Sequence, residues 1–250
     1  MKLTITTNGQ AFADEAAKAI ISQIRRKPDS VIGLSTGRTT GDIHRLIASI
    51  HRDRPFDVSG VTFFGQDEVS GVPRDYSGSC WTMLKTELID SLGTDEDHFL
   101  MLPVRSDDYA RDCRMFMEEI GRRGGIDLLV LGIGENGHLG FNQPGTPFAS
   151  GCRVSVMTSE LESRIRRETG IPKDVELGGV TIGLRDVMSA RRILAVANGL
   201  NKADIMKKII EGPVTEDVPA SILQLHPDCE FILDNDAASK LNKPHDNEQQ

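Results

Sequence analysis

Short runs of apolar and β-branched residues alternate along the chain with longer segments whose apolar positions recur every three or four residues. Runs such as VIGLS and LLVLG have no polar face, as a strand covered on both sides requires, whereas the longer segments carry a single apolar stripe, as a helix lying on a sheet requires. Strands are predicted over Lys2–Thr6, Val31–Ser35, Val61–Phe64, Phe99–Leu102, Leu128–Gly132, Arg192–Ala197 and Phe231–Leu233. Helices are predicted over Phe12–Ile24, Asp42–Ile50, Ser79–Leu92, Asp107–Arg122 and Lys202–Ile210. This alternation implies an α/β fold of the Rossmann-like kind, a doubly wound and mostly parallel sheet with helices on both faces. No internal repeat or low-complexity linker interrupts it, so residues 1–238 read as one domain. The polar ending KPHDNEQQ makes residues 239–250 a flexible tail by expectation. Ligands of such sheets bind at the carboxyl ends of the strands, where loops lead into helix N-termini, and that edge is where chemistry is expected.

Composition narrows the partners. The 250 residues, 38% of them hydrophobic, suffice for one large core. A net charge of -8 with no basic stripe excludes nucleic acid and anionic membrane as the main partner, while a small phosphorylated ligand needs only a local cluster of cations. A homo-oligomer is left open. Cys80, Cys113, Cys152 and Cys229 are far apart and form no CxxC pair, so neither zinc nor a disulfide framework is expected. The N-terminus MKLTITTNGQ lacks the apolar core of a signal peptide, and no stretch approaches the roughly 18 to 20 apolar residues of a membrane span. A cytoplasmic protein without metal or cofactor is the resulting expectation.

Three segments carry candidate chemistry. Gly33-Leu34-Ser35-Thr36-Gly37-Arg38-Thr39-Thr40-Gly41 follows a buried-strand pattern and precedes a helix. Its glycines admit close backbone approach, and its hydroxyls and amides can hold an anion or sugar hydroxyls; an ordinary glycine turn with a Thr cap is the alternative. It matches neither GxGxxG nor the phosphate loop ending in GK[ST]. Gly65-Gln66-Asp67-Glu68 places two carboxylates after the apolar run VTFF. A partly desolvated acid there can abstract a proton, although such pairs also occur in solvated turns and helix caps. The third segment runs Leu131-Gly132-Ile133-Gly134-Glu135-Asn136-Gly137-His138-Leu139-Gly140-Phe141-Asn142-Gln143-Pro144-Gly145. It sets one histidine among amide side chains in a glycine-rich loop, where an imidazole can shuttle protons, a structural histidine being the other reading. His44, His51, His98 and His245 form no metal pattern such as HExxH, and His226, ahead of Pro227, is expected to structure a turn. No GxSxG elbow supports a serine nucleophile.

In this order and spacing, the three segments resemble the glucosamine-6-phosphate deaminase family, within the wider group that includes 6-phosphogluconolactonase. The resemblance runs from the first strand to the segment Pro219–His226. The form GHLGFNQPG is similar to the deaminase branch, whereas the lactonase branch typically continues Gly-His with Ala-Ser-Leu-Phe-Pro-Gly. Ser77-Gly78-Ser79-Cys80 and Gly124-Gly125-Ile126-Asp127 look closer to galactosamine-6-phosphate deaminases. The resemblance implies an aldose–ketose isomerisation of a hexosamine 6-phosphate with release of ammonia. It makes Asp67 the base that moves a proton between sugar carbons C2 and C1, and Asn136, His138 and Gln143 the ring-opening triad. Ser35, Thr36, Gly37, Arg38, Thr39, Glu68, Thr146, Arg153, Arg167 and Lys202 fall among the substrate contacts it implies.

Two positions depart from the family pattern. Asn136 stands where Asp is common, and Gln143 where Glu is usual; an amide at 143 cannot supply the negative charge that would raise the imidazole pKa. Two other readings stand beside the deaminase: a phosphosugar lactonase in which His138 activates water, and, motivated by Gln143, a sugar-phosphate binding protein of weakened activity.

Overall fold

The computed structural model describes residues 1–242. Strand β1 (Lys2–Thr6) leads into α1 (Gly9–Arg26), whose first turn is capped by the Asn8 side chain accepting from the Ala11 amide at 2.9 Å. Then follow β2 (Val31–Leu34), α2 (Arg38–Asp53), β3 (Thr62–Gly65) and β4 (Asp67–Ser70). A broken helix comes next, with α3 (Cys80–Leu84), a π-helical turn (Lys85–Ile89) and α4 (Asp90–Leu92). The chain continues through β5 (Phe99–Leu100), α5 (Tyr109–Arg122), β6 (Leu128–Gly132), β7 (Arg153–Ser155), α6 (Ser159–Thr169), β8 (Gly178–Thr181) and α7 (Leu184–Val187). It closes with β9 (Ile193–Ala197), α8 (Ala203–Glu211) and β10 (Cys229–Asp234).

Seven strands form one all-parallel sheet in the order β1-β10-β9-β6-β2-β3-β5. The α/β fold with helices on both faces is thus the one expected from the alternation of elements. Consecutive residues of the central strands feed opposite cores, because side chains alternate across a sheet. Ile32, Leu34, Val130, Leu194 and Val196 pack with α1 and α2 on one face. Val31, Leu129, Leu131, Ala195 and Phe231 pack with α5 and α8 on the other. Each large side chain so buried contributes roughly 1.5–3 kcal/mol. From β2 the chain moves outward to β3, and from β6 it moves the other way to β9. The strand order therefore reverses between β2 and β6, which opens a crevice at their carboxyl ends.

A second sheet departs from the expectation. β4, β8 and β7 pair antiparallel in the order β4-β8-β7, with Asp67 opposite Thr181. They cover a small core of their own, built from Val69, Val72, Phe141, Met157, Ile165 and Leu177. These strands have three or four residues each, and β8 begins with two glycines, too little for a period-two pattern to show. Helix α6 also escapes the apolar periodicity, because Ile165 is its one buried residue. The expected helix Ser79–Leu92 is present, with a π-turn in its middle.

Of the expected tail, Ser239–Asn242 is described: Lys240 pairs with Asp204 at 2.6 Å and the Asn242 amide donates to Glu211 at 2.6 Å. Residues 243–250, including His245, lie outside the described residues. Among the described residues no helix is long and apolar enough to cross a membrane.

Candidate active site

A cleft of about 1030 Å³ opens over the switch point between β2 and β6. The loop after β2 forms one wall. Ser35, Thr36, Gly37, Arg38 and Thr39 all line it, and they feed the N-terminus of α2, where unpaired amides and the helix dipole favour an anion. The Ser35 hydroxyl is engaged within the fold. Its hydroxyl donates to the Val130 carbonyl at 3.0 Å and accepts from the Gly132 amide at 2.8 Å, so it ties β2 to β6. Thr39 donates to Asn198, in the loop after β9, at 2.6 Å. Lys202 is half-buried, its ammonium donating to the Ile133 carbonyl at 2.7 Å. Burial pushes its pKa below the usual lysine value, with nearby Glu135 opposing and Arg38 reinforcing the shift.

Asp67 opens β4 at the floor of this cleft and is 7% exposed. Burial raises its pKa to about 7, the neighbouring Glu68 charge adds to the rise, and donation from the Cys80 thiol opposes it. A carboxyl balanced near neutrality can take and return a proton at pH 7. Gly140, at φ +56°, lies against it: a Cβ there would stand 2.9 Å from Asp67 Oδ2. Glu68 does not line the cleft. Strand alternation turns it away from the cleft, where it is fully buried and accepts from the amides of Val69 (2.7 Å), Cys80 (2.7 Å) and Trp81 (2.9 Å). It caps α3, alongside Ser79.

The loop after β6 carries His138 across Gly134, and a Cβ at position 134 would overlap the imidazole. Asn136 Oδ1 lies 2.6 Å from His138 Nδ1 and also accepts from the His138 amide at 3.1 Å. Asn136 Nδ2 in turn donates to Gln143 Oε1 at 3.1 Å. An amide oxygen can only accept, so Nδ1 carries the proton and Nε2 has the lone pair. Burial lowers the imidazole pKa, the Lys202 charge lowers it further, and Glu135 opposes them. The neutral ring is therefore the resting form at pH 7.

Three further expected contacts lie elsewhere. Arg167 is exposed and does not line the cleft; Arg164, one turn earlier on α6, does. Arg153 and Thr146 also stand outside the cleft lining. Arg153 donates to Asn142 at 2.9 Å and to Thr146 at 3.4 Å, bracing β7 against the loop that bears Gln143. His226 bonds the Ala190 carbonyl at 2.8 Å, a structural role. Sequence reasoning passed over Cys80, Gln66, Arg164 and Asn198, all of which line the cleft. Asn198 alone carried a signal, since Asn-Gly directly after the run ILAVA marks another strand-end loop.

A parallel sheet whose switch point holds a carboxyl with a pKa of about 7, a neutral imidazole and the cations Arg38, Arg164 and Lys202 defines an α/β protein suited to proton transfer on a small anionic ligand. The family described as glucosamine-6-phosphate isomerases/6-phosphogluconolactonase matches residues 6–230, and the chain belongs to it. A glucosamine-6-phosphate deaminase of Thermoanaerobacter pseudethanolicus is 34% identical over 241 residues, 96% of this chain and 95% of that protein. The structure of a monomeric glucosamine-6-phosphate deaminase superposes with a TM-score of 0.88 at 30% identity, covering 96% of this chain and 100% of the other. A 6-phosphogluconolactonase from Trypanosoma cruzi shares the fold, with a TM-score of 0.77 at 20% identity over 97% of both chains.

Proposed function

We propose that the chain converts a hexosamine 6-phosphate to the ketose 6-phosphate and ammonia. The observation that carries this reading is Asp67, a buried carboxyl held near neutrality in the same cleft as a neutral His138. His138 Nε2 first takes the proton of the anomeric hydroxyl and delivers it to the ring oxygen, which opens the pyranose. Asp67 then takes the C2 proton and returns it to C1. The imine left at C2 adds water and releases ammonia. The amides at the start of α2, Arg38, Arg164 and Lys202 hold the phosphate and orient the carbon chain, so remote binding energy serves the reacting carbons. The deaminases named above are glucosamine enzymes, which makes that epimer the first to assay. Four free cysteines suit a reducing, cytoplasmic setting. Ammonia release from glucosamine and galactosamine 6-phosphates tests the proposal; no release from either would reject it.

One observation favours a second reading. A neutral imidazole whose Nδ1 is held by the Asn136 amide oxygen is equally a base for water attack on a phosphosugar lactone. Hydrolysis of 6-phosphogluconolactone well above its spontaneous rate, without ammonia release from any amino sugar, would establish it.

A further inference from the structure

Asp67 has one side-chain donor to its carboxylate among the described residues, and that donor is a thiol. Cys80 is the first residue of α3, 5% exposed, with Sγ 3.6 Å from Asp67 Oδ1. Its placement is determined on three sides. Glu68 accepts from the Cys80 and Trp81 amides, Ser79 caps the same helix start, and Thr36 Oγ1 lies 3.3 Å from Cys80 Sγ. With the thiol proton directed at Asp67, Thr36 is the donor to sulfur, so the hydrogen bonds run from Thr36 to Cys80 to Asp67. Asp67 Oδ2 is the oxygen on the Gly140 side, where a glycine leaves space.

We infer that Cys80 is a positioning residue for Asp67: its thiol occupies Oδ1 and leaves Oδ2 as the oxygen that accepts the substrate proton. The inference rests on the deaminase reading for its chemistry, though not for its geometry. A thiol suits this place for a physical reason. It is a weak donor, so it fixes the rotation of the carboxylate while stabilising the ionised form far less than a hydroxyl or an amide would. The base thus stays oriented and remains basic enough to work at neutral pH. Glu68 then has a role in the reaction only at one remove, since it holds the helix start from which the thiol reaches.

The test compares Cys80→Ser with Cys80→Ala, which remove nearly the same volume and differ in the donor they leave. A hydroxyl stabilises the carboxylate more than a thiol, so Cys80→Ser moves the acid limb of the kcat/KM profile for ammonia release down by roughly half a pH unit or more. Cys80→Ala has no donor and moves it up. Thr36→Val, which releases the thiol proton from its orientation, moves it up by less than Cys80→Ala. The same proteins are also titrated without substrate, following the Asp67 carboxyl carbon by 13C NMR. Opposite shifts for the Ser and Ala variants are the expected result in both measurements. Equal shifts, or none, would overturn the inference and leave Cys80 a packing residue. Opposite shifts of the Asp67 titration in a protein that releases no ammonia would uphold the positioning role and reject the deaminase reading instead.

Discussion

Asn136 Oδ1 lies 2.6 Å from His138 Nδ1, and this contact fixes the imidazole tautomer from a residue that carries no charge. The orientation is the one an aspartate would impose, but the stabilisation of an imidazolium is absent. In the proposed mechanism, ring opening therefore begins from a base.

Gly134 gives that histidine its place. Since a Cβ would overlap the ring, Gly134→Ala displaces the imidazole without requiring a forbidden backbone angle. Turnover should fall by about 10²-fold, the usual scale for a misplacement near 1 Å. Binding of an open-chain ketose 6-phosphate should change much less. Steady-state kinetics beside calorimetric binding would show the split, and a parallel loss of both would mean that the loop itself has collapsed.

Asp67 makes a stability prediction that is independent of turnover. Its folded pKa is raised from 3.8 to about 7, so between those values the folded chain binds more protons than the unfolded one. Stability contributed by the neutral carboxyl is present at low pH and is lost as pH rises toward 7. An interval of about three pH units corresponds to roughly 4 kcal/mol at most. Asp67→Asn should consequently raise Tm at pH 8, with the gain vanishing near pH 4, while abolishing exchange of the substrate C2 hydrogen with solvent. A Tm difference independent of pH would show that Asp67 titrates in the folded chain as it does in the unfolded one.

How much of this was legible in the sequence depends on how each residue is buried. β6 could be read because LLVLG is covered on both faces and therefore apolar throughout. β4 could not, because its first residue is the cleft carboxyl Asp67 and its second a buried cap. Had β4 been recognised, the alternation of side chains would have separated Asp67 from Glu68 directly, one toward the cleft and one away from it. On α6, the sequence ESRIRRE offers three arginines, and only the packing of Ile165 shows which of them turns toward the cleft. The place of Cys80 beside Asp67 was not legible, because a thiol in an apolar helix reads as core.

Arg164 and Arg167 make that distinction measurable. Arg164→Ala should weaken binding of a phosphorylated sugar by roughly 1.5–3 kcal/mol, the scale of a charge-assisted hydrogen bond, and Arg167→Ala by less than about 0.5 kcal/mol. Lys202→Ala should match Arg164→Ala in binding. It should also raise the His138 pKa, because it removes a positive charge that disfavours the imidazolium. Titration of the His138 ring by NMR checks the second effect. Equal losses with an unphosphorylated sugar would make either residue structural.

Glu68→Ala tests the cap against a role in substrate binding. Removing the carboxylate leaves the amides of Val69, Cys80 and Trp81 without their partner in a buried place. A loss of about 2–3 kcal/mol in denaturant unfolding is expected. The affinity for a sugar phosphate, measured where the variant is still folded, should change little. A large affinity loss with unchanged stability would return Glu68 to the substrate site.

Gln143 decides between an efficient enzyme and a slow one. It accepts from Asn136 at 3.1 Å, and Asn136 accepts from His138, so whatever charge stands at 143 reaches the imidazole through one amide. With glutamine there the relay is neutral from end to end, and delivery of a proton to the ring oxygen starts from an imidazole of lowered basicity. Gln143→Glu keeps the acceptor facing Asn136 and adds a negative charge, which raises the fraction of His138 that carries a proton. Turnover of a cyclic hexosamine 6-phosphate should rise by roughly tenfold or more, equivalent to at least about 1.4 kcal/mol of barrier. The reverse reaction, from fructose 6-phosphate and ammonia, should gain as well, since ring closure passes through the same transfer. Wild-type turnover at ordinary enzyme rates with no gain in the variant would remove position 143 from the ring-opening relay. Tight binding of the sugar phosphate by both proteins, with ammonia released by neither, would make this chain a sugar-phosphate binding protein built on an enzyme's frame.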